Sequence, residues 1–240
     1  MLVAMMTVSL VVASGVALAV TKIGTNGPDT LRGTNGPDNL IGKGGNDQLY
    51  ALGGRDNLLG GPGKDIVLGE NERFKTSRGD KNLEGGRGND IGVGGKGSDN
   101  VLGGKGNDFV FGDNGSDSAV VGEGGRDLLD GGRGSDRIVG GEGGDLLVDG
   151  PFGSTSKDDT LSGGDGNDAL FVDNGPATRD IVSCGSGFDR VAADAKDVVA
   201  PDCEQVRRGP NAGKKLNEYL DKEGFFPTFF DEQLAPFPGG

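Results

Sequence analysis

Residues 94–111 read GGKGSDNVLGGKGNDFVF, two consecutive copies of a nine-residue unit. Gly stands at its first, second and fourth places, Asp at its sixth and an apolar residue at its eighth. The same unit recurs as GGPGKDIVL at 60–68 and GGRGSDRIV at 131–139. Working outward, the acid recurs at Asp29, Asp38, Asp47, Asp56 and Asp65, then at Asp90, Asp99, Asp108 and Asp117. It continues at Asp127, Asp136 and Asp145, and again at Asp159 and Asp168, in steps of nine within each run. A Gly precedes nearly every one by two places, and an aliphatic residue such as Leu40, Leu58, Val101 or Leu147 follows by two. Self-similarity at so short a fixed period is the signature of a solenoid.

The unit dictates its own geometry. Six residues of type GGxGxD turn the chain, because Gly permits the positive φ and close approach of tight turns. Three residues remain for a minimal strand, with the aliphatic one pointing inward. Successive strands then belong to opposite sheets, and every second repeat stacks on the same sheet about 4.7–4.9 Å away. The expected fold is all-β, a parallel β-roll of two short-stranded sheets. Asp29, Asp47 and Asp65 should line one edge, with Asp38 and Asp56 on the other. Asp90 and Asp108 should likewise lie opposite Asp99 and Asp117.

Composition narrows the chemistry. Gly accounts for 50 of the 240 residues, and net charge is −13 with no His and no Trp. Without His there is no His-based zinc site and no imidazole-dependent nucleophile pair. GxSxG is absent as well. Catalysis is not expected. The acidity argues against nucleic acid, whose phosphates require clustered Lys and Arg. It argues for cations. Stacked carboxylates repel, and one aliphatic anchor per repeat cannot offset the ordering of so many glycines. Oxygen-only ligands suit a hard ion that accepts six to eight oxygens, so Ca²⁺ fits better than the smaller, octahedral Mg²⁺.

The unit resembles the RTX, or haemolysin-type, calcium-binding nonapeptide GGxGxDxUx. That resemblance implies multiple Ca²⁺ ions between same-side turns, held by pairs of Asp and by turn carbonyls. Carried onto this chain, the metal ligands would be Asp29, Asp38, Asp47, Asp56, Asp65, Asp90, Asp99, Asp108, Asp117, Asp127, Asp136, Asp145 and Asp168. Asp159, which lacks the upstream Gly, and Asp189 are weaker candidates. Roughly seven ions would cancel about fourteen charges and bring the chain near neutrality. An ice-binding or adhesive role, or service as a module of a toxin or hydrolase system, are the alternatives. The repeated GTNGPD at 24–29 and 33–38 motivates the first. A cell-surface or matrix partner is compatible with calcium binding.

Departures from the repeat define the remaining organisation. Residues 1–19 read as a signal peptide cleaved after Ala19, with an uncleaved anchor as the alternative. Localisation is therefore expected to be extracellular, with no membrane span after cleavage. The roll should occupy 20–171, with loop insertions at 69–84 and 149–158. Gly92 and Ala119 weaken two strands, and Val121 reads as a one-residue bulge. From 172 to 206 the glycines thin out, which suggests a degenerate cap closing the open sheet end. Cys184 and Cys203 fit a disulfide across that cap in an oxidising compartment. Residues 207–240 form a Phe-rich tail.

Overall fold

Each coil of the chain gives one strand to each of two sheets. The computed structural model describes residues 18–70, 79, 82–149, 157–172 and 178–209. The expected signal peptide before Leu18, most of both insertions, and the Phe-rich tail beyond Gly209 lie outside the described residues. In chain order the first strands are β1 (Thr21–Ile23), β2 (Thr30–Arg32), β3 (Asn39–Ile41), β4 (Gln48–Leu52), β5 (Asn57–Pro62) and β6 (Ile66–Glu70). The central ones are β7 (Asn82–Arg87), β8 (Ile91–Lys96), β9 (Asn100–Lys105), β10 (Phe109–Asn114), β11 (Ala119–Gly124) and β12 (Leu128–Asp130). There follow β13 (Arg137–Glu142), β14 (Leu146–Val148), β15 (Thr160–Asp165) and β16 (Ala169–Val172). The last are β17 (Ile181–Ser186), β18 (Arg190–Ala193), β19 (Val198–Val199) and β20 (Gln205–Arg208).

Odd-numbered strands make one ten-stranded sheet and even-numbered strands the other, each in sequence order. Neighbours pair in parallel, as in Asn100 opposite Ala119 and Phe109 opposite Ile91. The fold is the expected all-β parallel roll. Among the described residues its main core is a file of inward side chains, including Leu40, Leu49, Leu58, Val101, Leu129, Ile138 and Leu161, all at most 1% exposed, and Leu146, Ala169, Phe171 and Ala192 form a second buried cluster. Gly92 keeps its place in this file because a Cβ there would stand 2.9 Å from Val101 Cγ1.

Two expectations need correction. Several strands run six residues, not three, passing through the first places of the following turn. Bare glycine backbone stacks on the next coil without side-chain conflict, so pairing continues through Gly86 and Gly104. The extra residue of the β11 repeat is Ser118, between Asp117 and the strand. Val121 itself pairs in register with Leu102 and Val139. Consequently Val120, not Ala119, is the buried core residue there. The degenerate cap from 172 onward is built from the same coils, with β17 to β20 extending both sheets in the same parallel order. Cys184 and Cys203 are joined in a disulfide, with Cα atoms 5.2 Å apart.

The turns explain where glycine is obligatory. Second-place residues adopt a left-handed φ near 80–85° at Lys43, Leu52, Asp113 and Glu123, a region that L-residues tolerate at a cost. Fourth-place glycines reach φ values such as 141° at Gly106 and 146° at Gly166. A Cβ on Gly106 would collide with the carbonyl oxygen of Gly88 in the preceding coil. In the regular turns that place therefore takes Gly.

Candidate metal centre

Every repeat Asp ends a turn and precedes a strand, so stacking the coils converts sequence periodicity into two columns of carboxylates. Asp29, Asp47, Asp65, Asp90, Asp108, Asp127, Asp145, Asp168 and Asp189 follow one another along one edge. Along the other edge Asp38 precedes Asp56, and Asp99, Asp117, Asp136, Asp159, Asp180 and Asp197 follow in turn. The expected division of the two rows is the observed one. Except for the half-buried Asp29, these residues are at most 6% exposed.

The two oxygens of each carboxylate have different surroundings. Within each column, the backbone N–H of one Asp donates to Oδ1 of the Asp one coil further on. Asp90 donates to Asp108 at 2.7 Å, and Asp168 to Asp189 at 2.8 Å. Oδ2 is buried and has no hydrogen-bond partner in Asp47, Asp65, Asp90, Asp108, Asp117, Asp127, Asp136, Asp145, Asp159, Asp168 and Asp189. It faces the glycine that opens its own turn. A Cβ on Gly60 would lie 2.5 Å from Asp65 Oδ2 and 2.5 Å from the carbonyl oxygen of Gly85. At Gly85 the corresponding distances are 2.6 Å to Asp90 Oδ2 and 2.6 Å to the Gly103 carbonyl. The first-place glycine thus opens a small space on which a carboxylate oxygen and a backbone carbonyl of the next coil both converge.

Burial raises these carboxyls far above the ordinary carboxylate range, because desolvation disfavours the charged form. Asp65, Asp108, Asp117 and Asp168 are pushed up to about 7, and Asp90 and Asp127 to about 8. The donated N–H from the preceding coil opposes the shift, and neighbouring carboxylates add to it. Asp159 rises to about 9, chiefly by burial, with Asp136, Asp149 and Asp180 adding repulsion. Such columns hold a large negative charge only when a cation offsets it. The donors are all hard oxygens, carboxylate and carbonyl, and the unpartnered Oδ2 atoms supply the acceptors that a divalent ion needs. The residues present fit calcium.

The first two turns differ. Thr25 donates its N–H to Asp29 Oδ2 at 2.5 Å and its hydroxyl to the same oxygen at 2.9 Å. Thr34 does the same for Asp38, with its hydroxyl 3.1 Å from Oδ2. These threonines satisfy the turn carboxylates of the first two repeats.

Asp159 and Asp189, the weaker candidates, stand in register within their columns and are at most 2% exposed. Asp180, Asp197 and Glu204 continue the columns past the expected ligands; Glu204 Oε2 accepts the Asp189 N–H at 2.9 Å. Their signal was the surviving acid-x-aliphatic rhythm in Asp180-Ile-Val and Glu204-Gln-Val. Asp149 was passed over as a loop residue, yet it is 3% exposed.

Compared with known families, the chain matches the RTX calcium-binding nonapeptide repeat (4 copies) at residues 23–58, 41–72, 84–119, 120–147 and 154–176. No curated protein sequence matches it.

Proposed function

The chain belongs to the RTX calcium-binding nonapeptide-repeat family, and we propose that it is a secreted, non-catalytic structural protein whose roll folds when calcium binds between its coils. The observation that carries this reading is the set of buried, unpartnered Asp Oδ2 atoms converging with backbone carbonyls along both edges. When bound, calcium supplies positive charge and oxygen coordination to these columns. The chain's own contribution is to hold the oxygens ready. First-place glycines keep the space open, and each Asp is oriented through Oδ1 by the N–H of the preceding coil.

Folding coupled to binding follows from the energetics. The core is one aliphatic residue per strand, and the glycines lose more backbone freedom on ordering than any other residue. Ion binding absent from the unfolded chain then adds directly to folding stability. Export as a low-calcium, largely unfolded chain and folding outside at ~10⁻⁴–10⁻³ M Ca²⁺ suits weak extracellular sites. The Cys184–Cys203 bridge supports an oxidising destination. Among the described residues no helix is long and apolar enough to cross a membrane.

The test is far-UV circular dichroism of residues 20–240 during Ca²⁺ titration, with EDTA reversal and a Mg²⁺ control. A cooperative coil-to-β transition with Ca²⁺ alone is expected. A spectrum already rich in β-structure under EDTA would overturn folding on binding.

A further inference from the structure

One turn breaks the two-carboxylate pattern. In the other repeats the residue that follows a strand and opens the turn is usually Gly, and its missing side chain makes room beside Oδ2. Gly163 is the example nearest to the break: a Cβ there would press against Asp168 Oδ2 and lie 2.5 Å from the carbonyl of Cys184. The same slot after β14 is occupied by Asp149. Its backbone confirms the placement, since the Asp149 N–H donates to Phe171 O at 3.2 Å just as Gly131 N–H donates to Val148 O at 3.0 Å one coil earlier.

A side chain in this slot points at the column. One carboxylate oxygen from each of Asp149, Asp159 and Asp180 lies within 4.8 Å of the other two, and the three residues are 3%, 2% and 0% exposed. Asp159 Oδ1 accepts the Asp136 N–H at 2.7 Å, while its Oδ2 is buried and has no hydrogen-bond partner. Asp180 Oδ1 accepts the Asp159 N–H at 2.8 Å, and the Thr178 hydroxyl lies 3.2 Å from Asp180 Oδ2. Oxygens on a single Ca²⁺, each at ~2.3–2.6 Å, can be up to about 5 Å apart, so the cluster has the right span.

We propose that Asp149, Asp159 and Asp180 form, within that column, a hard-cation site of three carboxylates that binds calcium more tightly than the two-carboxylate sites of the other repeats. The choice of calcium rests on the family reading; the site itself rests on the geometry of these three residues. Affinity of oxygen sites for calcium rises with the number of charged ligands. The location gives the site a structural consequence. Asp149 follows β14, Asp159 precedes β15, and Asp180 precedes β17, which carries the disulfide Cys184. An ion held here joins the regular repeats to the terminal coils across the point where the consensus fails.

The test is calorimetric Ca²⁺ titration of the full chain, with Eu³⁺ excitation spectroscopy, which separates sites by total ligand charge. The proteins are wild type, Asp149→Asn, Asp149→Gly and the exposed-charge control Asp158→Asn. Asp149→Gly restores the residue this slot carries in other coils, so it keeps the comparison sound if Asp149→Asn folds poorly. Wild type should take up one tight ion per chain ahead of the repeat phase. Both Asp149 variants should weaken that ion by roughly tenfold or more and lose its Eu³⁺ line, with the repeat phase intact. Asp158→Asn should leave both phases unchanged. A repeat phase without a tight ion in wild type, or a tight ion surviving in Asp149→Gly, would overturn this proposal alone. A wild-type chain that takes up no calcium would overturn the family-based reading as well.

Discussion

The backbone N–H of Asp65 donates to Oδ1 of Asp90 at 2.7 Å, although 25 residues separate the two. Ile66 pairs with Ile91 in the same register as any uninterrupted repeat. β7 lies between them on the opposite sheet, as one strand does in every coil, and the chain returns to the same column. Continuity of the carboxylate columns therefore belongs to the coils and not to the nine-residue period.

Column position sets the expected cost of losing a carboxylate. Asp108 is fully buried with an unpartnered Oδ2, whereas Asp29 is half-buried and already bonded by Thr25. Asp108→Asn should raise the calcium concentration at the folding midpoint by roughly tenfold, and Asp29→Asn by less than about twofold. Parallel calcium titrations followed by circular dichroism measure both. Equal shifts would count against the buried oxygens as the ligands.

Stability of the metal-free roll should fall as pH rises. Asp90 and Asp127 are held near 8 and Asp136 and Asp145 near 6 when folded, above the ordinary value of 3.8. The folded state then binds more protons than the unfolded state between those values. Stability is fully present below about pH 4 and is lost progressively up to about pH 8. In EDTA, the β-content read by far-UV circular dichroism should fall from pH 4.5 to 6 to 8, where the chain is largely unfolded. Saturating calcium should remove the trend by keeping the carboxylates ionised.

Glycine at the fourth place should be irreplaceable where the second place is not. Gly106→Ala drives a methyl into the Gly88 carbonyl at φ 141°, a loss expected to exceed about 2–3 kcal/mol. Glu123→Gly relieves an L-residue at φ 82° and should be neutral or stabilising by up to about 1 kcal/mol. Thermal unfolding at fixed saturating calcium compares them.

The core file predicts an unequal response to volume. Leu129→Ala removes a wholly buried side chain and should cost about 2–5 kcal/mol. Gly92→Val overpacks the same file against Val101, with a cost expected near 1–3 kcal/mol despite the added apolar area. Denaturant midpoints under saturating calcium are the readout, and a stabilising Gly92→Val would contradict the packing described.

Much was legible in the residues alone. A turn that needs Gly, a carboxylate at its end and one inward aliphatic residue admit only one periodic arrangement, so the parallel roll and the membership of each Asp row could be read directly. The places where the reading slipped share one cause: a local rule cannot locate a residue whose position is set by its neighbour in another coil. Ser118, not Val121, absorbs the extra residue because Val120 must pair with Val101. Asp159 sits in register without a consensus turn because Asp136 donates to it across the stack.

Asp149 marks the limit of the sequence. Nothing within its own segment distinguishes it from a polar loop residue, and its meaning comes from Asp159 and Asp180, which successive coils bring to its side. The amino-acid order thus determined the period, the sheets and the acidic rows, because these depend on interactions repeated every coil. Only the tertiary structure decided which oxygens are buried without partners and which carboxylates meet, because contacts between coils depend on the register that stacking imposes.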